Sequence, residues 1–123
     1  MIEQIPSPNE NTLMFKVGDK ISQTEMQQMY TLIKARVDEG HAVNIYIEME
    51  KFPTMTMGAI WEEVKQLVPD FKVLLQKIDK IALVTDKDWV QKISDGIYSI
   101  IGNINFQSFS TTEKAKAKGW IGI

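Results

Sequence analysis

Hydrophobic and polar positions change period several times along the chain, and each change marks an element. At 12–17, Leu13, Phe15 and Val17 alternate with Thr12, Met14 and Lys16, the period of a half-buried strand. A shorter strand around Glu3–Ile5 is expected to pair with it across the turn-rich stretch Pro6-Ser7-Pro8-Asn9-Glu10-Asn11. Ser22-Gln23-Thr24-Glu25 reads as a capping box, in which the serine hydroxyl and the glutamate carboxylate satisfy amides of the opening turn. Behind it Met26, Met29, Tyr30, Ile33 and Val37 recur at helical spacing, and Gly40 supplies a stop.

Val43, Ile45, Ile47 and Met49 alternate with Asn44, Tyr46, Glu48 and Glu50, the clearest strand in the sequence. A loop, Lys51 to Met57, leads to a helix from Gly58 whose broad apolar face carries Ile60, Trp61, Val64, Leu67, Val68, Phe71, Leu74 and Leu75. Pro69 removes a backbone donor and is expected to kink or split that helix. Ile78–Thr85 is a third core strand, and its run Ile81-Ala82-Leu83-Val84 is apolar on both faces, as in a central position. Asp86 or Asp88 caps a further helix with Trp89, Ile93, Ile97 and Ile100, ended by Gly102. Residues 104–109 form the last strand, and Ser110-Thr111-Thr112-Glu113 opens a short helix ending near Trp120.

This order, ββαβαβαβα, implies right-handed crossovers and a mixed, mostly parallel sheet of four to five strands, the first antiparallel. Two strands keep a polar alternate face: Asn44, Tyr46 and Glu48 in one, Asn105 and Gln107 in the other. A sheet covered on both sides favours continuous apolar runs, so the helices are expected mainly on one face, leaving the other partly open. Residues 1–123 show no repeat or linker and read as one domain.

Composition narrows the function classes. The formal charge of −2 is spread without blocks, and Arg36 is the single arginine, so the clustered cations of a nucleic-acid surface are missing. The absence of cysteine removes thiolate nucleophiles and sulfur metal sites. No apolar stretch is long enough to span a bilayer, and the opening residues lack a basic-then-apolar leader; a cytoplasmic location is expected.

Catalytic chemistry finds little to work with. His41, the only histidine, follows a helix stop with no nucleophile motif beside it and reads as a solvated turn residue. Glu48 and Glu50 share a strand face, as cooperating carboxylates would, but no substrate cleft is announced and a solvated edge explains them better. Asp86 and Asp88 suit helix capping better than metal ligation. Neither glycine-rich phosphate signature occurs. No catalytic residue, metal or cofactor is therefore assigned.

The most informative segment is the loop after the clearest strand. Phe52, Met55, Met57 and Ile60 offer adaptable apolar contact, with hydroxyls at Thr54 and Thr56, immediately around a helix start. These six residues are the candidate partner- or ligand-binding set; the competing reading is that they close one end of the core.

The ordered set of segments resembles the SpoIIAA-like group of the STAS domains. The resemblance rests on Val43–Glu48 with its loop and the helix from Gly58, on Ile78–Val84, on Asp88-Trp89 opening a helix, on the strand ending at Phe109, and on Glu113–Trp120. It covers nearly the whole chain and implies a β-α superhelix that does non-catalytic work: protein binding, regulation or apolar-ligand binding. Matching the family's phosphorylated loop through Gly58 puts Met57 at the phosphoacceptor position, where no phosphate can be accepted, so the resemblance does not carry the phospho-switch over. The expected partner is a protein or a small apolar ligand, and a strand edge or half-polar sheet face suits a two-fold homodimer.

Overall fold

The computed structural model describes residues 1–18, 22–40, 42–49, 66, 74, 76–86 and 105–123. Five strands form one sheet in sequential order: β1 (Ile2–Ile5), β2 (Thr12–Val17), β3 (Val43–Met49), β4 (Ile78–Thr85) and β5 (Asn105–Ser110). β1 pairs antiparallel with β2, and every later pair is parallel. The mixed, mostly parallel sheet expected from the alternation is thus present, including its antiparallel first strand.

The first described helix, α1 (Gln23–Asp38), starts where the sequence placed it. Ser22 Oγ accepts the Glu25 amide at 3.1 Å, and Glu25 Oε1 accepts the Ser22 amide at 3.2 Å. Gly40, at φ 84°, turns the chain away in a conformation that side-chain-bearing residues rarely adopt. Residues 66, 74 and 76 are also helical. The expected helix start at Gly58, the Pro69 kink, His41, Glu50 and the expected helix at 88–100 lie outside the described residues.

Side chains of alternate parity build two cores, one on each face of the sheet. The first joins Leu13, Phe15, Val43, Ile45, Ile81, Leu83 and Phe106 to Ile33 of α1 and to Leu74, with Met29, Tyr30 and Val37 packed around them. Ile78 joins the same core despite lying three residues before Ile81. The register shifts there, with Ile78 opposite Val43 but Lys80 opposite Asn44, so Asp79 is the inserted residue of a bulge.

On the face expected to be partly open, Asn105 and Gln107 of β5 are exposed, but a second core covers the part over β3 and β4. A 3₁₀ turn (Thr111–Glu113) leads into α2 (Lys114–Ile121), which lies across β3, β4 and β5 on the side away from α1. Ala117 and Ile121 pack on Met14, Tyr46, Ala82, Val84 and Phe109, with Ile5, Trp120 and Ile123 at the margin. Tyr46, Ala82 and Ala117 are each 0% exposed. Asn44, Tyr46 and Glu48 give β3 a polar alternate face, which predicts solvent on this side. Tyr46 instead buries its ring and keeps its hydroxyl paired, as an aromatic residue with a polar tip does. Helix α2 ends at Gly122, φ 93°, whose amide bonds back to the carbonyls of Lys118 and Gly119.

Candidate functional site

In-line pairing brings the four parallel strands to a common carboxyl edge. Val17 lies opposite Met49, Met49 opposite Thr85, and Thr85 opposite Ser110. Strand β3 therefore ends between β2 and β4, in the interior of that edge. The candidate loop continues from this point in the chain, and its six residues, Phe52, Thr54, Met55, Thr56, Met57 and Ile60, lie outside the described residues. Loops that leave the ends of a rigid sheet are where binding residues concentrate.

The described side chains next to this edge form a linked polar row on the α2 face. Glu3 of β1 lies opposite Lys16 of β2, and Lys16 lies opposite Glu48 of β3. Glu48 Oε1 accepts the Tyr46 hydroxyl at 2.8 Å, while its Oε2 lies 3.6 Å from Lys114 Nζ at the start of α2. Burial first, and the bonded carboxylate second, push the Tyr46 phenol well above its ordinary value, so it stays a neutral donor. Glu48 is 13% exposed and spends both oxygens on internal partners. It is a clamp between β3 and α2 rather than the solvated edge residue that the sequence predicts. The signal for this was the two-residue spacing of Tyr46 and Glu48, which puts both on one strand face.

At the far end of the same edge Glu113 closes the turn that opens α2. Its Oε1 accepts the Ser110 amide and the Ser110 hydroxyl, each at 3.0 Å. The Ser110 amide, then its hydroxyl, hold the Glu113 carboxyl below the usual range. The expected second capping box is present, though it opens a 3₁₀ turn before the α-helix. Asp86 follows β4 and has a partner of its own. Thr85, 0% exposed, has a hydroxyl without a hydrogen-bond partner among the described residues.

Further down α2, lysines rest on aromatic rings. Lys118 Nζ lies 5.8 Å from the centre of the Tyr46 ring, and Lys80 Nζ lies 5.6 Å from the Trp120 ring while donating to the Trp120 carbonyl at 3.4 Å. These cations cover the second core with their methylene stems. Among the described residues no group of three or more histidine or carboxylate side chains is placed to hold a metal ion, and no helix is long and apolar enough to cross a membrane.

A single five-stranded mixed sheet with a crossover helix on one face and a closing helix on the other defines an α/β domain whose loops meet at one strand edge. The sequence pattern of the SpoIIAA-like family matches residues 12–122, and the chain belongs to that family. Its fold is similar to the crystal structure of an uncharacterized protein of the DUF3478 family with a SpoIIAA-like fold from Shewanella loihica PV-4. The TM-score is 0.62 at 17% identity, over 98% of this chain and 92% of that one. No curated protein matches the chain.

Proposed function

We propose that the chain is a non-catalytic regulatory or protein-interaction domain that receives its partner at the carboxyl edge of the parallel strands, through Phe52, Thr54, Met55, Thr56, Met57 and Ile60. The observation that carries this reading is the end of β3 at Met49, flanked in register by Val17 and Thr85. The methionine- and threonine-bearing segment follows directly in sequence from this strand end, between the ends of two neighbouring strands. Two carboxylates described at this strand edge, Glu48 and Glu113, are spent on Tyr46, Lys114 and Ser110. Membership of the SpoIIAA-like family supports the same reading, because domains of this type bind partners rather than transform substrates.

Carriage of a small apolar ligand is the competing reading. Two clefts lined by described residues lie at the opposite, amino edge and are of the wrong character for it. One, of about 400 Å³, lies among Gln4, Ser7, Asn9, Glu10 and Arg36. The other, of about 580 Å³, lies between Pro8–Asn11 and Gly122-Ile123. Both linings mix polar with apolar residues and expose somewhat more polar than apolar surface, whereas apolar ligands need predominantly apolar walls.

The test is affinity capture from native cells with the wild-type chain and with a Met55→Glu, Met57→Glu double variant. A Gln27→Glu, Gln28→Glu variant, with the same charge change on the exposed side of α1, is the control. The reading expects the methionine variant to lose a partner that the wild type and the control retain, at unchanged thermal stability. Equal capture by all three would sink it.

A further inference from the structure

The turn between β1 and β2 is pinned at several points. Ser7 Oγ donates to the Asn9 carbonyl at 2.9 Å, and Asn9 Oδ1 accepts the Asn11 amide at 2.9 Å. The Asn9 carbonyl also accepts the Thr12 amide, and the Asn11 carbonyl accepts the Asn44 amide of β3. From the last turn of α1, Arg36 Nη1 donates to the Glu10 carbonyl at 3.1 Å. The cleft of about 400 Å³ at the amino edge lies between this turn, the start of β2 and Arg36.

Two side chains that line it hold donors the fold leaves unused. Arg36, the only arginine of the chain, carries five N–H donors in a planar fork. Among the described residues its partners are the Glu10 carbonyl and, at 4.0 Å, the Glu39 carboxylate. Both side chains of that ion pair are well exposed, 38% and 56%, so water competes with it and it holds the fork weakly. Thr12 is 1% exposed, and its hydroxyl has no hydrogen-bond partner among the described residues. A buried hydroxyl without a partner carries a desolvation cost that a new partner recovers. Rotating χ1 to present that hydroxyl to the cleft breaks no hydrogen bond, because it makes none where it stands.

We propose that this cleft binds a small carboxylic acid in its ionised form, with the Arg36 fork on the carboxylate and the Thr12 hydroxyl donating to it. Pro6, Pro8 and Leu13 supply an apolar wall for a short aliphatic body. Glu10 also lines the cleft, and the end of α1 presents the negative pole of its dipole there, so the single cation is close to balanced. The geometry of the fork, rather than a strong positive field, then selects the ligand, and binding is in the millimolar class. The site lies at the opposite edge from the segment proposed for the protein partner and does not depend on it.

Titration of the full chain with sodium propionate at pH 7 and constant ionic strength, followed by backbone amide NMR shifts, tests this. Propionamide serves as the neutral counterpart. Saturable shifts are expected in residues 4–13 and 36, with a midpoint of roughly 1–10 mM, and none with propionamide. Arg36→Lys is expected to weaken binding about tenfold, because a point charge replaces the fork. Thr12→Val keeps the shape and removes the hydroxyl; it is expected to weaken binding about threefold while leaving the thermal midpoint unchanged or higher, since no internal bond is lost. No saturation by roughly 100 mM overturns the proposal, as do equal shifts with propionamide or undiminished binding by either variant. Shifts that sodium chloride reproduces would mark an adventitious ion only and overturn it as well.

Discussion

At position 25 one carboxylate serves three backbone and side-chain donors: the amide of Ile2, and the amide and hydroxyl of Ser22. The Ile2 amide, then the Ser22 amide, hold the Glu25 carboxyl below the usual range. Glu113 is lowered in the same direction by Ser110. A carboxyl whose folded value is depressed adds stability that is present above its unfolded value and lost as pH falls through the folded one. The chain is therefore expected to hold its melting temperature down to about pH 5 and to lose stability from there downward, through the range where free glutamate titrates. Glu25→Gln should flatten that slope while lowering the melting temperature at pH 7, as thermal melts across pH would show. An equal slope in the variant would mean that Glu25 does not carry the dependence. The capping role was legible, since serine and glutamate three apart before an apolar periodicity admit few other readings. The bond to Ile2 was not, because nothing local to residue 25 says that a strand from the chain's start will arrive there.

Among the elements, α2 is the one whose placement the sequence hid. Its existence follows from Ser110-Thr111-Thr112-Glu113, but its burial partner is a strand face that reads as polar. The resolution is physical. Tyr46 and Glu48 satisfy each other, Lys114 completes the pair, and Lys80 and Lys118 lay aliphatic stems over the apolar part. What remains to be buried is small, and small residues let the helix approach: Ala82 and Ala117 are both fully buried in this core. Ala117→Leu should therefore overpack the seam and cost about 1–3 kcal/mol, read as a fall in the urea midpoint at unchanged m-value. A variant as stable as the wild type would mean that α2 rides loosely on the sheet. Strands were easier to read than helix placement, because alternation reports which residues share a face but not what covers it. The bulge at Asp79 is invisible in the sequence for a related reason: Ile78 and Ile81 fit one apolar run, and only pairing with β3 shows that they share a face.

Over the whole molecule, function is expected to follow from the ends of the sheet rather than from its faces. Both faces carry a packed core, one under α1 and one under α2, and at the amino edge the Pro6–Asn11 turn and the chain's last residues line clefts of polar character. The carboxyl edge gathers the ends of β2, β3, β4 and β5 side by side. The candidate segment stands out in the sequence by its methionines and threonines, and the strand register shows where the strand before it ends. Hydrogen exchange on the full chain, with and without the partner obtained by capture, measures this claim most directly. Slowed exchange is predicted in residues 50–60 and in the neighbouring strand ends at Gly18 and Asp86, with α2 and the Pro6–Asn11 turn unchanged. Protection falling on α2 or that turn, with residues 50–60 exchanging as before, would contradict it.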